Sequence, residues 1–283
     1  MIVRNPVTIG PATWDWSRTY VFGVVNVTPD SFSDGGQFFD REVAVARGRA
    51  LIDAGADALD IGGESTRPGS EPVPVDEEKR RVLPVVERLA AHCRVPISVD
   101  TYKAEVAEAA VAAGASVIND VSGLRLDEAM ADTVARTGAA VILGHLRGKP
   151  ATMQDDIRFD DVVGEVIEEL RASVQRAIQA GVAGDRIWVD PGIGFGKTAE
   201  QSLALVAATD RIVEALGYPV MVGTSRKSFI GEVTGLPAMR RIIGTCAASA
   251  IAVMGGAEAL RLHDVAELRS GVQVADAIRR AKA

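Results

Sequence analysis

Four stretches of this chain repeat one joint: AGADALDIGG beginning at Ala54, AGASVINDVSG at Ala113, TGAAVILGHL at Thr137 and GGAEALRLHD at Gly255. In each, a glycine able to end a helix in the left-handed conformation precedes a small residue, a short apolar run and then a polar side chain. The joint reads as helix, cap, buried parallel strand and polar strand tip. Four more apolar runs, Val21 to Val25, Val95 to Val99, Arg186 to Val189 and Tyr218 to Val222, bring the strands to eight. Helical patterns lie between them. The clearest spans Asp161 to Ala180, where Val163, Val166, Ile167, Leu170, Val174, Ala177 and Ile178 recur three and four residues apart before Gly181 stops the helix. Near the carboxyl end, Asp264 and Glu267 suit an acidic variant of the capping box, opening a helix with the stripe Val265, Leu268, Val272, Ala275 and Ile278.

Eight strands alternating with helices predict the α/β class and, because eight parallel strands close on themselves, a (β/α)8 TIM barrel. The 283 residues, 47% of them hydrophobic, suffice for one such domain of about 250 residues. A single domain over 1–283 is expected, with the barrel from about 20 to 282 and a short extension over 1–19. An open doubly wound sheet is the alternative. The distribution of polar residues favours the barrel: Asn26, Gly62 to Glu64, Asp100, Asn119, His145, Asp190, Ser225 to Lys227, and Arg261 with His263 each follow a strand. An open sheet would gather them at one switch point.

Charge and composition narrow the function. Asp and Glu outnumber Lys and Arg by 38 to 31, a net charge of −7 that offers no broad electropositive face for nucleic acid. Cys93 and Cys246 lie far apart and read as reduced thiols, and three histidines cannot build a histidine-rich metal cluster. A magnesium held by oxygens remains open. The start MIVRNPVTIGPATWDW has no basic stretch leading into an apolar run, so no secretory signal is expected. The apolar stretch Cys246 to Gly255 is too short to span a bilayer and reads as a buried helix. A cytoplasmic protein without membrane contact is the expectation. PGIGFGKT mimics two nucleotide motifs, but Pro191 stands where a phosphate-binding loop needs its first glycine, and Lys197 where the dinucleotide fingerprint needs its last.

Seven segments carry more information: GVVNVTPDSFSDGG (Gly23 to Gly36), GESTRPG (Gly63 to Gly69), SVDTYK (Ser98 to Lys103), NDVSG (Asn119 to Gly123), DPGIGFGK (Asp190 to Lys197), SRK (Ser225 to Lys227) and RLHD (Arg261 to Asp264). In this order, from about Val21 onward, the chain resembles the dihydropteroate synthase family. The resemblance implies transfer of the pterin methylene of 6-hydroxymethyl-7,8-dihydropterin diphosphate to 4-aminobenzoate, giving 7,8-dihydropteroate and pyrophosphate. By resemblance, Asp100, Asn119, Asp190 and Lys227 read the pterin edge, which needs carboxylate acceptors and amide and ammonium donors. An isolated strand-end Asp serves equally well as a cap for its following turn; four such groups at four strand ends point to a ligand.

Asn26, Arg261 and His263 are implied for the diphosphate, with Asn26 on the magnesium side. Two residues apart on a strand, Arg261 and His263 project to one side, where a guanidinium fork and a protonated or hydrogen-bonding imidazole can share an anion. Taken alone, Asn26 reads as well as a buried structural amide, and His263 as a helix-start residue. The resemblance assigns the 4-aminobenzoate slot to Thr66, Arg67, Pro68, Phe195 and Ser228, with Phe32, Ser33 and Asp34 nearby. A dissociative substitution is expected, with Asp34, Lys227, Arg261 and His263 as the catalytic groups. Asn26→Ala and Arg261→Ala are expected to fold yet lose turnover.

Family members commonly carry methionine before the histidine of the fifth strand, and Gly144 here predicts a roomier pterin wall. A homodimer is implied by resemblance alone. The competing readings are a methyltetrahydrofolate-dependent methyltransferase, a non-catalytic pterin-binding paralogue, and a synthase of altered sulfonamide sensitivity. The first two would lack members of the set Thr66, Arg67, Lys227, Arg261 and His263, all present here.

Overall fold

Side-chain alternation along the strands decides what fills the centre of this chain. The computed structural model describes residues 4–28, 37–65 and 69–282. The chain enters through a hairpin, β1 (Val7–Ile9) and β2 (Ala12–Trp14), paired antiparallel with Val7 opposite Trp14. Eight parallel strands follow among the described residues: β3 (Tyr20–Asn26), β4 (Ala58–Gly62), β5 (Ile97–Asp100), β6 (Val117–Asp120), β7 (Ala140–Gly144), β8 (Ile187–Asp190), β9 (Met221–Val222) and β10 (Ala259–Leu262). Each pairs with its neighbour in order, β10 returns to β3 with Ala259 beside Tyr20, and a bridge from Val189 to Val220 closes the ring.

The eight-strand barrel is thus as expected, with two strands starting later than their apolar runs. Val95 is followed by Pro96, and Tyr218 by Pro219, neither of which has an N–H for the ladder. Pro219 contributes only its carbonyl, which accepts from the Val189 N–H at 2.9 Å. At the repeated joint the glycines take positive φ, as at Gly114 (φ 112°), where an L side chain is disfavoured.

Within each strand, one parity faces outward and the other inward. Val21, Leu59, Ile61, Val99, Ile118 and Val141 join the core between the barrel and its helices. Phe22, Ala58, Val117, Ile142, Trp188, Met221 and Ala259 fill the interior, where they meet Val7, Ile9 and Trp14 of the hairpin. The described part of the extension, residues 4–19, is therefore a plug at the amino ends of the strands, with Trp14 stacked on Tyr20 at 4.1 Å. Two residues beyond this apolar layer stand Asp60, Asn119, Asp190 and Arg261. The same parity that packs the floor places the polar groups above it.

The helices include α1 (Gln37–Asp53), α2 (Val75–His92), α3 (Ala104–Ala112), α4 (Met130–Thr137), α5 (Val162–Gln179), α6 (Ala199–Ala207), α7 (Thr209–Leu216), α8 (Ser228–Thr234), α9 (Ile242–Met254) and α10 (Val265–Ala281). Asp161 caps α5 through the Gly164 N–H, as its pattern predicts. Three expectations are corrected. The Asp264 carboxylate makes no cap bond for α10, because it is held by Arg226 (Nε to Oδ2, 2.8 Å). Ile278 of the α10 stripe is 49% exposed. In α9, the stretch Cys246 to Gly255 read as a buried helix covers the barrel with Ala248, Ala252 and Val253 but turns Ile251 outward, as Ile243 ahead of it also turns. No helix among the described residues is long and apolar enough to cross a membrane.

Candidate active site

At the carboxyl ends of the strands, a pocket is lined by Asp100, Asn119, Val121, Gly144, His145, Asp190, Gly192, Ile193, Phe195, Gly223, Ser225, Lys227, Arg261 and His263. Its organiser is a residue the sequence reading missed. Asp60, fully buried in β4, accepts from Ser98 Oγ (2.6 Å), Asn119 Nδ2 (3.1 Å) and Arg261 Nε. One carboxylate thereby orients Asn119, expected to read the pterin, and Arg261, expected to bind the diphosphate, together. The available signal was an aspartate inside the otherwise apolar run ALDIG, since a buried strand tolerates a carboxylate only with partners.

Arg261 also donates through Nη2 to Asp100 Oδ2 at 2.8 Å. Burial works against its charge, but Asp60 and Asp100 outweigh that cost and hold the guanidinium protonated. Burial pushes the Asp100 carboxyl up to about 7 against the pull of Arg261. Its second oxygen, Oδ1, is buried without a hydrogen-bond partner among the described residues. A buried polar atom left unpaired costs stability, so this oxygen is a ready contact for a ligand N–H.

Asp190, raised by burial, accepts the Gly192 N–H at 2.7 Å. It caps its turn and lines the pocket at once, so capping does not remove it from the pocket. Gly192 is obligatory there: a Cβ would stand 1.9 Å from the His145 carbonyl oxygen. Lys227 lies 3.9 Å from the centre of the Phe195 ring, a cation–π contact that joins a residue expected to read the pterin to one expected to line the arylamine slot. Burial, then Arg261, brings its ammonium down to about 8.

His263 Nδ1 pairs with Ser225 Oγ at 3.0 Å, and its backbone carbonyl accepts from Arg47 at 2.6 Å. Burial and the cations of Arg261 and Arg226 depress its imidazole to about 3. Of the two forms expected, the unliganded protein therefore carries the neutral, hydrogen-bonding one.

Asn26 ends β3 beside Gly62, outside the pocket lining and partly exposed. Its Oδ1 and the Oδ2 of Asp100 each lie 3.9 Å from where a Gly62 Cβ would stand, so glycine leaves space between them. Among the described residues no three His, Cys, Asp or Glu side chains form a metal-holding group. Ser228 is exposed as the first residue of α8, also outside the lining. Asp34, Thr66, Arg67 and Pro68, with Phe32 and Ser33, lie outside the described residues.

The roomier wall expected at Gly144 is corrected. A Cβ at 144 would stand 2.6 Å from Val121 Cα, so backbone from the end of β6 occupies the space a side chain would take. The reading also missed a buried network behind this wall, in which Lys197 contacts His145 and His145 pairs with Glu169.

A family model described as "Pterin binding enzyme" matches residues 22–263. Among curated relatives, the dihydropteroate synthase of Synechocystis sp. is 43% identical over 275 residues, covering 96% of this chain and 95% of its own. Two solved structures of the Xanthomonas albilineans dihydropteroate synthase also match. One, with 4-aminobenzoic acid, has a TM-score of 0.88 at 48% identity and covers 94% of this chain and 95% of that one. The other, in complex with 7,8-dihydropteroate, has a TM-score of 0.86 at 44% identity and covers 97% and 98%. The chain belongs to the pterin-binding enzyme family, and the relatives it matches along almost its whole length are dihydropteroate synthases.

Proposed function

We infer that this chain catalyses the dihydropteroate synthase reaction, displacing pyrophosphate from 6-hydroxymethyl-7,8-dihydropterin diphosphate by the amine of 4-aminobenzoate. The observation that carries the reading is the unpartnered Asp100 Oδ1, set in a pocket with Asn119, Asp190, Lys227 and Arg261. Flat on the apolar floor, a reduced pterin offers ring and amino N–H groups to Asp100 and Asp190 and carbonyl and ring nitrogens to Asn119 and Lys227.

The substitution is dissociative. The methylene C–O bond breaks first, the electron pair leaves with pyrophosphate, and the pterin ring nitrogens delocalise the resulting cation. The arylamine nitrogen then forms the new C–N bond and releases a proton. Arg261, fixed by two carboxylates, meets the departing oxygens without reorganising, and neutral His263 donates a hydrogen bond or takes up a proton there. Asp34 and the pocket carboxylates stabilise the cation, while Thr66, Arg67, Pro68, Phe195 and Ser228 hold the 4-aminobenzoate. A magnesium ion fits beside the single amide oxygen of Asn26, because this ion takes few protein ligands when a diphosphate and water supply the rest. When bound, it neutralises charge on the leaving group.

The reading includes a single pterin-binding domain over residues 1–283, a cytoplasmic location and a homodimer. The outward apolar residues of α9 and α10 support the dimer. Formation of dihydropteroate from the two substrates, with magnesium and then with a chelator, tests the activity. Magnesium-dependent product is expected; tight pterin binding without product would sink the reading. Pyrophosphate released from the pterin substrate without 4-aminobenzoate is expected for the dissociative order, and strict dependence on the amine would remove it.

A further inference from the structure

The segment PGIGFGK, which the nucleotide motifs left unexplained, closes around its own lysine. Lys197 is only 3% exposed. Its ammonium donates to Phe195 O (2.9 Å), Gly192 O (3.0 Å) and His145 Nδ1 (3.0 Å), with a longer contact to His145 O (3.4 Å), so its three protons are shared among four acceptors. Among the described residues it has no ion pair with a carboxylate, and it does not line the pocket. A buried cation spent entirely on backbone carbonyls and one imidazole is costly, and what it secures is the shape of the loop. It also selects the His145 tautomer: with Nδ1 accepting, Nε2–H faces Glu169 Oε2 at 3.1 Å, and Glu169 is held in turn by Arg147 Nε at 2.8 Å.

We propose that Lys197 is a positioning residue for the arylamine slot, holding the loop 191–197 so that Phe195 stands against Lys227 without itself touching either substrate. This rests on the proposed synthase function. The two ends of the loop are secured differently. Gly192 keeps a second tie, its N–H to Asp190 Oδ1, so the pterin side survives loss of the ammonium. Phe195 is tied through its carbonyl to Lys197 and through its N–H to Gly192 O, a carbonyl that Lys197 also holds. Burial, opposed by Asp190, lowers the Lys197 amine to about 7, so the hydrogen bonds to Phe195 O, Gly192 O and His145 Nδ1, and not a strong charge, carry the hold on the loop.

The test compares Lys197→Met and Lys197→Gln with Phe195→Ala and the Phe195→Ala/Lys197→Met double variant. Lys197→Met should raise KM for 4-aminobenzoate about tenfold, the scale of one or two lost hydrogen bonds, and leave KM for the pterin diphosphate within about twofold. Lys197→Gln, which keeps an N–H donor, should fall between Met and wild type, and it carries the comparison if the Met protein does not fold. Because Lys197 acts through Phe195, the double variant should resemble Phe195→Ala alone. Equal changes in both KM values, or additive effects in the cycle, would overturn the proposal. Amide hydrogen exchange reads the loop independently of turnover: faster exchange in Lys197→Gln confined to 191–197 supports the role, and unchanged exchange there refutes it. Wild-type protein that makes no dihydropteroate would strike the functional reading, while the exchange result would still decide whether Lys197 holds the loop.

Discussion

Asp60 binds together three side chains that the sequence scatters over 163 positions, Ser98, Asn119 and Arg261. Replacing it with asparagine keeps the shape and removes the charge that Arg261 pairs with. Asp60→Asn should lose about 3 kcal/mol of stability, the scale of a broken buried pair, and lower kcat/KM by about a hundredfold. Urea midpoints and steady-state kinetics would show both, and an unaltered kcat/KM would remove Asp60 from the site. Arg261 carries the same structural load in reverse, since its loss strands Asp60 and Asp100 as buried carboxylates. Arg261→Ala should therefore lose stability as well as turnover, and Asn26→Ala, partly exposed and outside the pocket lining, is the cleaner probe. Gly144→Ala would drive a methyl into the Val121 backbone and should cost about 2 kcal/mol by overpacking. An unshifted melting temperature would show that the β6 end yields freely. Strand-tip residues such as Asp100 and Asn119 were legible because they end apolar runs. Asp60 was not, because sitting inside a run hides a side chain whose partners come from three other strands.

The elements were legible wherever one local rule sufficed. The helix ends at the repeated joint follow from glycine alone, and α5 follows from its period and Asp161. Where a distant partner competes, local reading failed: Asp264 has the spacing of a cap, but Arg226 donates to both its oxygens. The β1–β2 hairpin went unrecognised because its strands are three residues each, too short for alternation to register. Its weight is nonetheless large. Trp14 is 2% exposed and lies between Tyr20, Phe22 and Trp188. Trp14→Ala should remove about 4 kcal/mol, lowering the melting temperature by about 10 °C while both KM values stay within twofold, because the plug sits at the end away from the pocket. A changed KM with an unchanged melting temperature would mean that the hairpin shapes the site instead.

For the molecule as a whole, the count and parity of the strands were readable and the outer surface was not. α9 and α10 pack closely enough for Gly271 to leave no room for a Cβ beside Cys246 Sγ. On their far sides Ile243 (85% exposed), Ile251 (53%), Val274 (59%) and Ile278 (49%) face outward. Helical periodicity marks apolar residues without saying which of two apolar sides meets the barrel, so Cys246 to Gly255 read as buried throughout. If a second copy covers this surface, Ile251→Glu should shift the protein from dimer to monomer in sedimentation with little loss of helix content. A wild-type monomer at micromolar concentration would discard the dimer.

The interior below the pocket is solid, from Phe22 and Trp188 down to the hairpin. A vessel stoppered at its base has one doorway. On the proposed reading, pterin diphosphate, arylamine, pyrophosphate and finished product all pass the mouth at the carboxyl ends of the strands, and a pterin lying on the apolar floor would enter ahead of the amine.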